Sequence, residues 1–169
     1  KNICPISLLP YLSKLLERYV TLLISEFMED QSQLHPHQSG FRKGHSTEMV
    51  MLSVLDDLRL AADNNQSSAL ILLNLSAAFD TVEHGILISR FATVGLSGCA
   101  LLWLHSFIQG HSPAVRMGDH NSLLAVLGCR VPQGSALSPL LFNIYLQSLI
   151  STLANKDCKV YNYLDDTQL

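Results

Sequence analysis

The chain lacks the excess of positive charge that a free-standing nucleic-acid-binding domain usually carries. Its 169 residues include 11 Lys and Arg against 14 Asp and Glu, which gives a formal net charge of −3 at pH 7. Because phosphate neutralisation supplies most of the affinity of such domains, this balance argues against a domain that binds nucleic acid by itself. If the chain handles nucleic acid, we expect much of the basic surface to lie elsewhere.

Paired cysteines and long apolar runs are also missing. The four cysteines form no C-x-x-C pattern, which argues against a zinc site or a disulfide framework and favours buried, reduced thiols in an intracellular protein. They are Cys4, Cys99, Cys129 and Cys158. No apolar run approaches the ~18 residues of a membrane span, and no signal peptide is visible, so we expect no membrane partner. An apolar content of 48% excludes a disordered tail.

Hydrophobic periodicity and turn residues predict an α+β fold. Apolar residues at helical spacing after Pro10 predict an amphipathic helix over about 11–29, with its leucines in the core. Ser46 or Thr47 can cap a second helix over about 47–63. Further helices are expected from about 82 to Gly95, from about 98 to Gly110, and over about 138–154. Between them come a strand near 68–75, a hairpin that turns at Gly118–Asp119, and a final strand near 158–166.

The final predicted strand ends in Tyr163-Leu164-Asp165-Asp166. Two adjacent carboxylates suit a hard divalent cation, and two-metal phosphoryl-transfer sites use such groups to hold ions about 3.5–4 Å apart. Alone the tetrapeptide is weak evidence, because a solvated turn explains it as well.

A second motif precedes the acids, in the segment "VPQGSALSPLLFN". Gly134 allows close approach of a backbone to a ligand, and Gln133 can both donate and accept hydrogen bonds in one plane. This run resembles the Pro-Gln-Gly motif of reverse transcriptases, and the whole chain is similar to those of non-LTR (LINE-type) retrotransposons. The resemblance is carried by five ordered motifs, "PISLLPYLSKLLER", "QSGFRKGHSTE", "ALILLNLSAAFDTVEH" (motif A), "VPQGSALSPLLFN" (motif B) and "YLDD" (motif C).

The resemblance implies the fingers and palm of a right-hand polymerase, with an antiparallel palm sheet and helices packed on one face. We expect residues 1–169 to form one such domain fragment, with palm strands near 68–75 and 158–166. The thumb normally follows motif C and no endonuclease segment is present, so we expect both to belong to a longer polyprotein. Lys1 is not an initiator Met and Leu169 falls in mid-pattern, so we expect both ends to be cut. We also expect "YNYLDDTQL" to form a hairpin with a strand beyond Leu169.

The same resemblance implies a reaction and its site. The reaction is DNA synthesis on an RNA template from a DNA primer and deoxynucleoside triphosphates, with two Mg²⁺ ions, in the nucleus and/or cytoplasm. Asp165 and Asp166 match metal-binding acids, and Phe79 matches the aromatic gate that rejects a 2′-hydroxyl. Gln133 and Gly134 match groups that line the nucleotide, and Arg42 lies in the fingers motif that faces template or nucleotide phosphates. We expect positions 74, 133–134 and 165–166 to converge on one cleft.

Asn74 departs from the pattern, because the family has a third metal-binding Asp at this position. The amide oxygen can still face a cation, but a full negative charge is lost. Asp80 is six residues away, roughly 20 Å along an extended chain, and would have to displace Phe79 to take over. Cys4 also replaces the Arg usual before Pro-Ile-Ser. We therefore expect an inactive or weakly active polymerase domain.

Two other interpretations stay open. The chain could be a non-catalytic, retrotransposon-derived protein that keeps the fold to bind nucleic acid or protein, or a decayed copy without function. Other chemistries have less support: His35 and His37 flank Pro36 in a loop that is more typical of solvated residues than of a metal pair. The chain contains no G-x-S-x-G motif, so the sequence gives no support for a serine hydrolase. His84 and His105 are expected to be helix-surface or half-buried residues.

Overall fold

The computed structural model describes residues 10–75, 77–109, 116–117, 120–122, 128–154, 159–163 and 166–168. Helices and short strands are mixed along the chain, which confirms the predicted α+β class. The helices are α1 (Tyr11–Asp30), α2 (Thr47–Asp63), α3 (His84–Thr93), α4 (Gly98–Gln109) and α5 (Ser138–Ala154). The strands are β1 (Leu72–Asn74), β2 (Arg116–Met117), β3 (His120–Asn121), β4 (Tyr161–Tyr163) and β5 (Asp166–Gln168), and a 3₁₀ helix spans Ala78–Asp80.

Local sequence signals set most helix ends. Ser46 is the N-cap of α2, where its Oγ accepts a hydrogen bond from the Met49 amide at 3.3 Å. After α3, Gly95 adopts φ +92°, a left-handed conformation that costs glycine little. The helix predicted from about 82 begins later, because Glu83 forms an antiparallel bridge with Cys129 before the helix starts. Gly110 and the hairpin turn at Gly118–Asp119 lie outside the described residues.

The main sheet has three antiparallel strands in the order β1-β5-β4. The final predicted strand is thus two strands, β4 and β5, that pair with each other, and residues 164–165 connect them. β4 thus has a strand partner within the chain, and the expectation that "YNYLDDTQL" forms a hairpin with a strand beyond Leu169 stays a prediction. A run of apolar and polar residues without Gly or Pro gave no turn signal at this point.

The outer edge of β4 is occupied by the loop that follows α1. Gln38 and Asn162 form a parallel bridge. The Ser39 amide donates to the Asn162 carbonyl at 2.9 Å, and the Asn162 amide donates to the His37 carbonyl at 3.1 Å. This pairing satisfies backbone groups that an edge strand would otherwise expose.

The described residues divide into two compact units. The first unit takes its residues from 1–22 and 79–145, and the second from 23–78 and 146–169. The prediction of a single domain over 1–169 stays a prediction. In the second unit, α2 packs on β4, because Val50, Val54 and Tyr161 are buried together with Leu58 and Tyr163 against them. In the first unit, α3 packs against α4, and the side chains of Leu87, Phe91 and Leu104 are buried.

The apolar stripe that predicts α1 is largely exposed, which corrects the expectation that its leucines are core. Leu12, Tyr19 and Leu22 expose 78%, 61% and 62% of their surface. The residues of α1 that are buried are instead Glu17, Ile24 and Met28. Periodicity thus predicts the helix, whereas tertiary neighbours decide which side of it packs.

Within the part of the chain that the structure describes, no helix combines the length and apolar character needed to cross a membrane.

Candidate active site

Asn74 and Asp166 lie directly opposite each other on neighbouring strands. Asn74 is the Cα partner of Asp166 in the β1–β5 register, and Tyr163 is the partner of Asp166 in the β4–β5 register. Opposite residues of antiparallel strands have Cα atoms about 4.5–5.5 Å apart. The sheet therefore brings together two of the three predicted metal-site positions. The third, Asp165, lies outside the described residues.

The donor types at these two positions suit a hard divalent cation. A carboxylate at Asp166 and an amide oxygen at Asn74 are both oxygen ligands of the kind that Mg²⁺ and Ca²⁺ prefer. Among the described residues, no three His, Cys, Asp or Glu side chains come together in a possible metal cluster. Both positions thus offer the type of oxygen ligand that a divalent cation prefers. Asn74, however, lacks the negative charge that a carboxylate would bring to this position.

Phe79 lies in the 3₁₀ helix Ala78–Asp80, just after β1. Its ring packs against the ring of Phe142 with centroids 5.1 Å apart, and its carbonyl accepts a hydrogen bond from the Val131 amide at 2.9 Å. Phe79 is therefore fixed beside the start of the motif B segment. The neighbouring Asp80 forms an ion pair with Arg130, Oδ1 to Nε 3.1 Å, so its carboxylate already has a structural partner.

Gln133 and Gly134 form a tight turn before α5. Gly134 has φ +97°, a conformation that side-chain-bearing residues rarely adopt. Inside the turn, the Ser135 amide donates to the Pro132 carbonyl at 3.2 Å, and the Ser138 hydroxyl donates to the same carbonyl at 2.8 Å. Gly134 is exposed and Gln133 half-buried, so the turn leaves these two residues partly accessible to a ligand.

Arg42 makes a bidentate ion pair within its own unit. Its Nε and Nη2 donate to the two carboxylate oxygens of Glu29 at 2.6 and 2.7 Å. Its Nη1 donates to the carbonyls of His35 and Gln38 at 3.1 and 3.3 Å. The hydrogen bonds from Arg42 lower the pKa of Glu29 below its usual value. Arg42 thus stabilises the loop that pairs with β4, and its predicted role toward phosphates stays a prediction.

The histidines and cysteines depart from the sequence expectations in part. His84 is buried and its Nε2 lies 2.7 Å from the Arg130 carbonyl, so it stabilises the segment before motif B and is not a helix-surface residue. His105 is exposed.

The rings of His35 and His37 lie 5.6 Å apart. Burial, and then the charge of His37, lowers the pKa of His35. Cys99 and Cys129 are free but exposed, which corrects the expectation of buried thiols.

One residue of this region is missed by the sequence patterns. Glu17 of α1 is 1% exposed and accepts a hydrogen bond from the Ser135 hydroxyl at 2.7 Å. The separation of 118 residues between the partners explains why no local pattern reveals the contact. No sequence signal singled out Glu17, because α1 also carries the charged residues Lys14, Arg18, Glu26 and Glu29.

Comparison with known proteins agrees with these motifs. The family described as reverse transcriptase (RNA-dependent DNA polymerase) matches residues 1–169. The chain is 33% identical to a probable RNA-directed DNA polymerase from transposon X-element of Drosophila melanogaster, over 93% of this chain and 18% of that protein. It is 33% identical to a probable RNA-directed DNA polymerase from transposon BS of the same species, over 86% of this chain and 16% of that protein. The chain thus spans less than a fifth of these relatives.

A solved structure supports the fold independently. The chain superposes on apo telomerase from Candida tropicalis with a TM-score of 0.65, at 15% identity, over 92% of this chain and 34% of that one. At this identity the likeness concerns the fold alone. Together with the matched motifs and relatives, it leads to one conclusion: the chain belongs to the reverse transcriptase (RNA-dependent DNA polymerase) family and is a reverse transcriptase domain of the non-LTR retrotransposon type.

Proposed function

We propose that this chain contributes the fingers and palm of an RNA-directed DNA polymerase in which the catalytic centre is impaired. The observation that carries the proposal is the register of β1 and β5, which sets Asn74 opposite Asp166. Two carboxylates on adjacent strands are suited to share a divalent cation, and here one member of the pair is an amide.

The metal ions in this proposal are two Mg²⁺, held by Asp165 and Asp166 with Asn74 as a weak third ligand. When bound, the ions would neutralise charge on the nucleotide phosphates and on the attacking oxygen. Asp166 supplies a carboxylate from β5, and the amide at position 74 supplies an oxygen without a full negative charge. We therefore infer weak binding of the two ions and little polymerase activity.

The nucleotide site in this proposal is formed by Phe79, Gln133 and Gly134. The contacts of Phe79 with Phe142 and Val131 support a fixed position for an aromatic ring that excludes a 2′-hydroxyl. The turn at Gly134 supports a backbone that a deoxynucleotide can approach closely. Arg42 would meet template or nucleotide phosphates only if it exchanges Glu29 for them.

The remaining partners are an RNA template, a DNA primer and further segments of a longer protein. The support is that this chain spans only 18% of the X-element relative. We place the working complex inside the cell, in the nucleus and/or cytoplasm, where the template and deoxynucleotides are available. A non-catalytic role in binding nucleic acid or protein is the alternative, and the amide at position 74 favours it over an active polymerase.

The test is to measure metal binding and primer extension for the unmodified chain and for Asn74→Asp. Restoring the carboxylate should raise the affinity for Mn²⁺ about tenfold or more, because a full charge is added next to a divalent cation. Asn121→Asp adds the same charge to the exposed strand β3 and should leave metal affinity unchanged.

Primer extension on an RNA template, with Mg²⁺ or Mn²⁺, tests the impairment. We expect no product from the unmodified 169-residue chain, since loss of one electrostatic group at a catalytic centre can cost about 10²–10³ in rate. Asn74→Asp should restore synthesis when the remaining polymerase segments of a relative are supplied. Robust synthesis by the unmodified chain would show that Asn74 is compatible with catalysis.

A further inference from the structure

Glu17 is a buried carboxylate that the proposed chemistry does not use. It lies in the middle of α1 and is 1% exposed. Acidic side chains are almost never fully buried unless they are paired or hydrogen-bonded, because desolvation of the charge is costly. The contacts of Glu17 therefore indicate what the residue does.

Among the described residues, two of the three hydrogen bonds to the Glu17 carboxylate come from the motif B turn. Its Oε2 accepts from the Ser135 hydroxyl at 2.7 Å and from the Ala136 amide at 3.0 Å. Its Oε1 accepts from the Ser13 hydroxyl, one helical turn away, at 2.9 Å. Oε2 thus binds the turn, and Oε1 holds the side chain against its own helix.

Ser135 is the centre of this arrangement. Its hydroxyl donates to Glu17 and accepts a hydrogen bond from the Leu137 amide at 3.1 Å. The remaining bonds of the turn are local, between Ser135 or Ser138 and Pro132. Glu17 therefore ties the turn to a separate helix, which local bonds cannot do.

We propose that Glu17 is a positioning residue for Gln133 and Gly134. The inference rests on the proposed function for the nucleotide-facing role of Gln133 and Gly134. The anchoring of the turn by Glu17 does not depend on that function. Gly134 gives the turn a backbone with few steric limits, so the turn needs an outside anchor to hold one conformation. The two hydrogen bonds from the motif B turn to the buried Glu17 side chain supply that anchor. Glu17 thereby fixes the place where the nucleotide-facing groups sit.

Two substitutions separate reach from charge. Glu17→Gln keeps the length of the side chain: its amide oxygen can face Ser135 and Ala136 while its NH₂ donates to Ser13, whose hydroxyl is able to accept. Glu17→Asp keeps the charge but is one methylene shorter. If Glu17 acts by positioning, the Gln variant should resemble the unmodified chain and the Asp variant should resemble Glu17→Ala.

The experiment is amide hydrogen exchange on the whole chain, read at residues 133–137. Glu17→Ala should accelerate exchange there about tenfold or more, the change expected when two buried hydrogen bonds are lost. Exchange in α3 should stay unchanged. Glu17→Gln should restore most of the protection and Glu17→Asp should not. Ser13→Ala is the matched control, because it removes a bond to Glu17 but keeps both bonds from the turn. It should change exchange at 133–137 by less than about threefold.

The outcomes separate this inference from the proposed function. Unchanged exchange at 133–137 in both Glu17→Ala and Glu17→Asp would overturn the positioning role. Equal effects of the Gln and Asp variants would also overturn it, because positioning requires the side-chain length that Gln keeps and Asp loses. If Glu17→Ala does not fold, the Gln and Asp variants decide the question.

A second measurement adds an RNA–DNA primer–template with the matching deoxynucleotide. Added protection at 133–137 in the unmodified chain and in Glu17→Gln, and its loss in Glu17→Asp, supports positioning of the nucleotide-facing groups. Absence of added protection in every chain would overturn that nucleotide-facing part and count against the proposed function. The anchoring of the turn by Glu17 would still be decided by exchange in the free chain.

Discussion

At the scale of single residues, Arg42 shows that a residue of a sequence motif can be used for contacts that stabilise the fold. The QSGFRKG motif predicts that Arg42 faces phosphates, yet its guanidinium binds both oxygens of Glu29 and two loop carbonyls. A bidentate pair of this type is specific in geometry as well as favourable in energy. Phosphate binding by Arg42 therefore has to compete with an existing carboxylate.

Glu29→Gln tests this competition. The Arg42 hydrogen bonds lower the pKa of Glu29 in the folded chain, so the carboxylate contributes stability above its unfolded pKa, and that contribution disappears as the pH falls through the folded value. We expect Glu29→Gln to lower the melting temperature at pH 7 and to have little effect near pH 3. The exposed Glu26→Gln is the matched control on the same helix and should melt like the unmodified chain. Equal destabilisation at both pH values would show that the ion pair does not stabilise the loop.

Tyr161 makes a second pH-dependent contribution to the free energy of unfolding, at alkaline pH. Burial, and then its hydrogen bond to Asp57, raises the pKa of Tyr161 to about 12 from the ordinary 10.0. The neutral hydroxyl therefore favours the folded state below pH 10, and this stability is lost as the pH rises from about 10 to about 12. By linkage, the contribution is at most about 2–3 kcal/mol.

Tyr161→Phe should remove this alkaline dependence. We expect the free energy of unfolding of the unmodified chain to fall more steeply between pH 10 and 12 than that of the variant, as measured by urea denaturation. Tyr145→Phe, in a half-buried tyrosine of α5, serves as the control for general effects of tyrosine ionisation. Parallel pH profiles for the unmodified chain and Tyr161→Phe would contradict the assignment.

At the scale of elements, β1 is the strand of the main sheet that has one unpaired edge among the described residues. The loop residues His37 and Ser39 bond to Asn162 on the outer side of β4, and β5 lies between β4 and β1. Among the described residues, no strand pairs with the other side of β1. Ile71, Leu72 and Leu73 expose 53%, 67% and 38% of their surface. An exposed apolar edge of this kind invites pairing with another chain.

Leu72→Lys should therefore reduce aggregation. A charge on the edge strand opposes edge-to-edge association, while little packing is lost because Leu72 is 67% exposed. The matched control is Leu60→Lys, which adds the same charge at a 59% exposed position of helix α2. Light scattering during incubation should show slower aggregation for Leu72→Lys than for Leu60→Lys. Equal rates would show that the β1 edge does not drive association.

At the scale of the whole molecule, the five motifs and the element order were predictable from the sequence. Helices α2 and α5 have the predicted bounds, because capping residues and turn residues act within a few positions of the chain. The division of the predicted final strand into β4 and β5 was not predictable, because "YNYLDDTQL" contains no glycine or proline. The pairing of this segment is decided by strands that are remote in sequence, of which β1 is one.

The sequence by itself determined the family, the order of the helices and most strands, and the presence of an amide, Asn74, in motif A, since motifs and capping depend on residue types at short separations. Only the tertiary structure decided that β5 lies between β1 and β4, that Asn74 is opposite Asp166, and that Arg42 is paired with Glu29. It also decided that Glu17 anchors a turn 118 residues away. The physical reason is that strand register and the pairing of a buried charge depend on which distant groups fold together, and no local pattern records that choice.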